Sequence, residues 1–433
     1  MMKAYPEYKE SGIEWLGDVP SHWLLSKNKF LAKFTKGKNP SELHDDKAPN
    51  LYAYLAMDFL RGRNDSPKYA HLDKSSYLVK DGQNLIIWDG SNAGEFVIGK
   101  EGILSSTMAA GELSEKVTAK FYKYLTTLIE KEMRRLTIGM GIPHVDGSEL
   151  NNLYLPLPES FQEQEKIADY LDVEVGRVDN LIAEKENFIK LLSEKRQALI
   201  SHVVTKGLNP NVLMKDSGVE WIGEIPEHWD VTLLKYQTSK IGSGKTPSGG
   251  AEAYQEQGIK FLRSQNIYND GLRLDDVVYI SDEIHYEMRG SKVLANDVLL
   301  NITGGSIGRT CLVPIDIGEA NVNQHVCIIR SKDESFSELL SLIMASTLVS
   351  EQVDYLQTGA GREGLNFVEI GQFKIPFPPK SEWQQIVDYL LLSESKIQCL
   401  LEETNKSIEL LKERRIALIS AAVTGKIDVR EEV

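Results

Sequence analysis

Apolar side chains recur at alternating four- and three-residue steps in two long stretches of the chain. The first stretch runs Leu171, Val175, Val178, Ile182, Lys185, Ile189, Leu192, Arg196, Leu199 and Val203. That spacing is a heptad seam, the mark of a helix that buries one narrow stripe against another helix. A shift of 219 positions gives Leu390, Glu394, Ile397, Leu401, Thr404, Ile408, Leu411, Arg415, Leu418 and Ala422, with the steps unchanged. Polar residues interrupt both seams at Lys185/Thr404 and Arg196/Arg415, and such interruptions fix register. Each stretch predicts a helix of about 40 residues, roughly 60 Å long. A lone amphipathic helix of that length needs a partner. Its own copy is the nearest one, which predicts an intramolecular coiled coil; packing on a separate subunit is the alternative. Antiparallel helices would hold the intervening blocks apart, whereas parallel helices would crowd them together.

The doubling extends to the flanks. Residues 11–23 read SGIEWLGDVPSHW and residues 217–229 read SGVEWIGEIPEHW; residues 191–201 read LLSEKRQALIS and residues 410–420 read LLKERRIALIS. A repeat of about 210 residues is too long for a solenoid unit and matches two half-proteins. Between entry motif and helix, each half carries apolar runs broken by glycine, asparagine and aspartate turns. YLVKDGQNLIIWDGSNAGEFVIG (77–99) and VLANDVLLNITGGSIGRTCLVP (293–314) are examples, and they predict short strands. These two inserts share little sequence. Proline-punctuated strands, LYLPLPES (153–160) and FKIPFPPK (373–380), precede the helices. The expected fold class is α+β: two pseudo-repeated halves, each an α/β domain followed by a long helix, with the two helices pairing as an antiparallel coiled coil. The expected boundaries are 1–158 for the first globular domain and 159–206 for the first long helix. Residues 207–380 form a linker and the second globular domain, and 381–433 the second long helix and tail.

Length and charge narrow the function. A chain of 433 residues suffices for two to four domains with ample core. Its 49 Lys and Arg against 63 Asp and Glu leave a formal net charge of −14, which argues against a free-standing nucleic-acid binder. The charge is uneven, however: residues 24–150 hold 18 basic and 16 acidic side chains. No apolar run approaches a membrane span and the N-terminus shows no signal-peptide core, so the expected location is the cytoplasm, with no membrane partner. Cys311, Cys327 and Cys399 form no metal-ligand spacing and are expected to be buried small apolar groups in a reducing compartment.

Enzyme motifs fail one by one. GSGKT (242–246) lacks the glycine a phosphate loop needs, since Ser239 stands there. Gly359, Gly361 and Gly364 satisfy GxGxxG, but the segment that follows, LNFVEIGQFKIP, reads as strand and turn rather than a helix N-terminus. HExxH, CxxC and Asp/Asn-Pro-Pro-aromatic motifs are missing. Trp15/Trp221, Trp23/Trp229, Pro20/Pro226 and His22/His228 repeat as packed corners that dock each block onto its helix. The remaining candidates are polar side chains at turns. The second insert has Lys245 and Thr246; Arg263, Ser264, Gln265 and Asn266; Ser306 and Arg309 beside Gly304 and Gly305; and Asn323, Gln324 and His325. The first has Lys36 and Lys38; Arg61, Arg63 and Asn64; and the turn 88–92 with Ser91 and Asn92. Arg, Asn and Gln bond base edges in the DNA grooves, Lys and Ser position phosphates, and glycine admits close backbone approach.

The twinned entry motifs, the pairs LYLPLPES/QEQEKIADYLD and FKIPFPPK/SEWQQIVDYLL, and the helix ends KRQALISHVVTKG and RRIALISAAVTGK resemble the specificity subunits of type I restriction–modification enzymes. The block 259–330 (IKFLRSQNIYNDG…VLLNITGGSIGRT…NVNQHVCIIR) is similar to one of that family's target-recognition domains. The first insert departs from it, with WDGSNAGEFVIG in place of NITGGSIGR and SSTMAA (105–110) near the place of NQHVCI. The resemblance covers the whole chain. It implies a subunit without catalytic residues or a bound cofactor, whose two target-recognition domains each read half of a split, non-palindromic site on double-stranded DNA. It implies as partners two methyltransferase subunits, which bring S-adenosylmethionine, and, where the system has them, restriction subunits using ATP and Mg. A stand-alone DNA-acting enzyme such as a nuclease is the alternative.

Overall fold

The computed structural model describes residues 3–136, 143–357 and 364–431. The chain divides into two units, Met1–Lys185 with Lys406–Val433, and Glu186–Asn405.

The first unit holds eight strands in its insert: β1 (Ala32–Lys36), β2 (Leu51–Leu55), β3 (Tyr69–His71), β4 (Leu78–Val79), β5 (Asn84–Ile87), β6 (Phe96–Ile98), β7 (Gly102–Leu104) and β8 (Met108–Leu113). They form two sheets, ordered β1-β8-β5-β6 and β3-β2-β7-β4. The first is wholly antiparallel; the second contains the parallel pair β2/β7. The central strands are buried on both faces with period two. Leu85, Met108 and Ala110 face one core with Leu55, Val79 and Leu104, while Ile86 and Ala109 face another. That other core is closed by α1 (Ala119–Leu136) and by Ile167, Leu171 and Val175 of α2 (Phe161–Lys206). Ile419, Ala422 and Val423 complete it.

The second unit follows the same plan. The strands of its two four-stranded sheets are β9 (Thr238–Ser243), β10 (Ile259–Leu262), β11 (Val278–Ile280), β12 (Lys292–Val293), β13 (Val298–Asn301), β14 (Thr310–Leu312), β15 (Ala320–Val322) and β16 (Val326–Ser331). The sheets are ordered β9-β16-β13-β14 and β11-β10-β15-β12, with β10/β15 parallel. Strand for strand this is the order of the first unit, although the inserts share little sequence. Leu299, Val326 and Ile328 face one core; Val298, Leu300, Cys327 and Ile329 face the other. There they meet α3 (Ser337–Met344), α4 (Thr347–Gln357), Ile200, Val203 and Val204 of α2, and Ile386, Val387 and Leu390 of α5 (Lys380–Val423).

The long helices run 46 and 44 residues, and no seam position in either is exposed. Within the first unit Arg415 Nε donates to Asp179 Oδ1 at 2.8 Å; within the second, Arg196 pairs with Glu394 at 2.7 Å. Each unit therefore sets an early stretch of one long helix beside a late stretch of the other.

The entry motifs dock on the starts of these helices. Trp23, wholly buried, donates its indole N–H to Glu163 in the first turn of α2 at 3.0 Å, and His22 Nε2 lies 3.0 Å from the same carboxylate. In the second unit Trp229 donates to Glu382 of α5 at 3.1 Å, with His228 Nε2 at 2.7 Å. The helix N-terminus favours the carboxylate it holds. Each motif also covers a helix end. A Cβ on Gly425 would meet Pro20 at 2.4 Å, and one on Gly207 would meet Trp229 at 3.1 Å. Both glycines take positive φ, the conformation that stops a helix.

Two expectations need correction. LNFVEIGQFKIP is not only strand and turn: Asn366 and Glu369 cap each other and start a one-turn helix, Phe367–Gly371, before the strand Lys374–Phe377. Gly359 and Gly361 lie outside the described residues. Cys399 is exposed on α5, while Cys311 and Cys327 are buried as expected.

Candidate nucleic-acid interface

In the second unit the candidate side chains gather because five loops are stitched together by backbone bonds. Gly244 N–H donates to Asn323 O (3.1 Å), Asn323 N–H to Leu262 O (3.0 Å), Ile302 N–H to His325 O (3.0 Å) and Leu365 N–H to Ile302 O (2.9 Å). Only glycine fits at 244, where a Cβ would lie 1.6 Å from the Val322 carbonyl oxygen. Buried Asn301 ties two loops together, donating to Ser264 O at 2.8 Å and Ser306 Oγ at 3.1 Å. On this frame Thr246 donates to Gln324 Oε1 (2.8 Å), Gln324 Nε2 meets His325 Nε2 (2.9 Å), and His325 Nδ1 meets Thr303 Oγ1 (2.6 Å). Lys245 is exposed beside them.

Other candidates hold the loops in shape. Asn266 is wholly buried; its amide donates to Arg273 O and Asp276 Oδ1, each at 2.9 Å, and its Oδ1 accepts from the Arg263 N–H. Gln265 bonds Asp276. Arg263 donates to Asp276 O at 2.9 Å with its guanidinium 5.8 Å from the Tyr254 ring, and Arg309 stacks 4.9 Å from Tyr268. Arg263 Nε and Asn301 Oδ1 are buried without a hydrogen-bond partner among the described residues.

The first unit repeats the frame. Trp88 N–H donates to Thr107 O (2.7 Å) and Val145 N–H to Trp88 O (2.9 Å), as Ile302 and Leu365 do. Loop 88–95 closes like loop 302–309. Ala93 N–H to Gly90 O and Ile307 N–H to Gly304 O are both 3.0 Å; Gly94 N–H to Ile87 O and Gly308 N–H to Asn301 O are both 2.9 Å. The four glycines all have positive φ. Residues 88–95 therefore match 302–309 one for one, so Ser91 and Asn92, both exposed, occupy the places of Gly305 and Ser306. Lys36 Nζ lies 2.6 Å from Asp89 Oδ2, and Asn39 Oδ1 accepts from the Ser106 N–H at 3.0 Å, where Thr246 bonds Gln324. Arg61 is half-buried against Glu95 at 2.6 Å. Exposed Arg63 and Asn64 follow it on the same loop, with Asn64 accepting from the Ser66 N–H at 3.0 Å. The sequence reading missed Asn39, Thr107 and Thr303 as members of these clusters. The shared GxxxG spacing of Gly90/Gly94 and Gly304/Gly308 was the signal that would have found them.

Nothing in the described residues resembles a reaction centre. No group of three or more His, Cys, Asp or Glu is placed to hold a metal ion. Burial pushes the thiols of Cys311 and Cys327 up to about 12, so neither is a thiolate nucleophile at neutral pH.

The family model for the type I restriction modification DNA specificity domain matches the chain twice, over residues 20–191 and 227–410. The MjaVIII type I restriction enzyme specificity subunit of Methanocaldococcus jannaschii is 29% identical over 430 residues, spanning 98% of this chain and 97% of its own. The EcoBI specificity subunit of Escherichia coli is 23% identical over 432 residues, spanning 97% and 90%. A chain from a solved structure concerned with complex assembly and conformational transition of the type I R-M system superposes with a TM-score of 0.65. It is 16% identical and covers 94% of this chain and 98% of its own, so it speaks to the fold alone.

Proposed function

The chain belongs to the type I restriction–modification DNA specificity family, and from that premise we propose that it is the non-catalytic subunit that reads the DNA target and scaffolds its partners. The observation that carries this is the doubled insert: two family domains with one strand order and two different sets of loop side chains. Each insert reads one half of a bipartite site. Because the loop side chains differ, the half-sites differ and the whole site is not a palindrome. Relatives matched along nearly their full length are specificity subunits, which favours this reading over a free-standing nuclease.

The two long helices act as an antiparallel coiled-coil spacer, a role supported by the seams and by the ion pairs at Arg415 and Arg196. Their outer faces carry Leu181, Phe188, Leu191, Leu392, Leu410 and Ile416, all exposed. Two methyltransferase subunits dock there and bring S-adenosylmethionine; restriction subunits bring ATP and Mg where the system has them. This chain binds no cofactor of its own. The excess of acid fits a reader whose DNA channel is completed by basic partners. None of the described helices is long and apolar enough to cross a membrane, and we place the chain in the cytoplasm with its DNA.

The test is an exchange of residues 230–380 for the corresponding block of a relative, followed by sequencing of methylated sites in cells that also hold the methyltransferase partner. One half-site should change completely and the other stay as it was. A change in both half-sites would show that the inserts do not read independently.

A further inference from the structure

The matched frames allow the two readers to be compared position by position. Every half-site offers the same phosphate backbone, whereas its bases differ. Positions where the readers keep the same residue suit phosphate, and positions where they differ suit bases. Strand pairing sets the match: Lys36 lies opposite Ala109, and Ser243 opposite Cys327, each the second residue of its strand. Gly37 and Lys38 then correspond to Gly244 and Lys245, which are the same residues. Lys36 corresponds to Ser243 and Asp89 to Thr303, which are not.

The first reader thus presents an ion pair where the second presents two hydroxyls. Lys36 Nζ and Asp89 Oδ2 are 2.6 Å apart, with side chains 45% and 37% exposed. An exposed pair of this kind adds little to stability. It does set a cationic donor and an anionic acceptor side by side, facing solvent, at a position where the readers diverge. The major-groove edge of a G·C pair is its complement. There the cytosine N4 amino donor lies beside the guanine O6 acceptor, roughly 2.9 Å away across the base-pair hydrogen bond, with guanine N7 next to it. An A·T pair also sets an amino donor, adenine N6, beside an acceptor, but there the ammonium meets a single acceptor on either side, adenine N7 or thymine O4, whereas guanine offers it O6 and N7 together.

Resting on the specificity-subunit reading, we propose that Lys36 and Asp89 together read one G·C base pair in the first half-site. Asp89 accepts from cytosine N4 and Lys36 donates to guanine O6 and N7. Lys38 and Lys245 are phosphate contacts common to both readers.

The experiment uses the full chain with its methyltransferase partner and maps methylated sites for the wild type, Asp89→Asn, Lys36→Gln and Lys38→Ala. The half-site that persists when residues 230–380 are exchanged is the first. Asp89→Asn and Lys36→Gln should each relax one and the same G·C pair within it, lowering discrimination there about 5- to 150-fold. The second half-site should stay intact, which also reports that the chain is folded. Lys38→Ala should weaken binding to all sequences and lower the salt slope by about one, with the motif unchanged. An unchanged motif in both pair variants overturns the assignment, as does relaxation at an A·T pair or in the second half-site. A wild-type chain that directs no sequence-specific methylation overturns the specificity-subunit reading along with it.

Discussion

Trp23→Ala should destabilise the first unit by about 3–5 kcal/mol, the range for removing a large buried aromatic side chain. Trp23 has no exposed surface, and its ring packs edge-on against Tyr5 with centroids 5.7 Å apart. Its truncation leaves a cavity between the entry motif and the C-terminal end of α5, where Gly425 has no side chain with which to fill it. The change also strips a hydrogen bond from Glu163, a buried carboxylate in the first turn of α2. Leaving such a group short of a donor adds to the cavity cost. Trp229→Ala should act likewise on the second unit through Glu382 and Gly207. Trp15→Ala should cost less, since Trp15 is only partly buried. Denaturant unfolding of the three variants would check this ordering. A Trp23→Ala midpoint equal to that of Trp15→Ala would refute the role given to the Trp–Glu contact.

How much of this the sequence revealed depends on what kind of signal carries each feature. The long helices were legible because a seam repeats over ten positions and any slip would expose it. The entry motifs were legible because their contacts need particular residues: indole N–H, imidazole, and glycine where no Cβ fits. The shared architecture of the inserts was not. Its determinants are burial of β5, β8, β13 and β16 on both faces, which any apolar residue satisfies, and backbone bonds closed around Gly90/Gly94 and Gly304/Gly308. Ile87 and Asn301 hold equivalent places with nothing chemical in common. The candidate residues divided for a related reason. Asparagine suits base edges and loop frames alike, so Asn266 and Asn301, whose amides are held within the loops, look from sequence like Asn92, whose side chain is exposed. Only burial separates them.

Inserting one heptad into each long helix, after Lys185 and after Asn405, should lengthen the gap between the half-sites and leave both half-sites unchanged. Seven residues keep each seam in phase, and the cut falls where the chain passes from one unit's residues to the other's. Each unit then retains its own contacts, Asp179 with Arg415 and Arg196 with Glu394. On the proposed antiparallel pairing the spacer grows by about 10 Å, close to three base pairs of B-DNA rise. Seven residues fall about 20° short of two helical turns, so the readers barely rotate. Three base pairs turn the duplex by roughly 100°, at about 10.5 base pairs per turn. The new sites should therefore be methylated more slowly than the parent sites, and the parent sites should be lost. A heptad placed in one helix alone should break the register of the pair and abolish assembly. Mapping methylated sites for the double insertion decides the matter: the parent gap retained at full activity would mean that the helices do not measure the site.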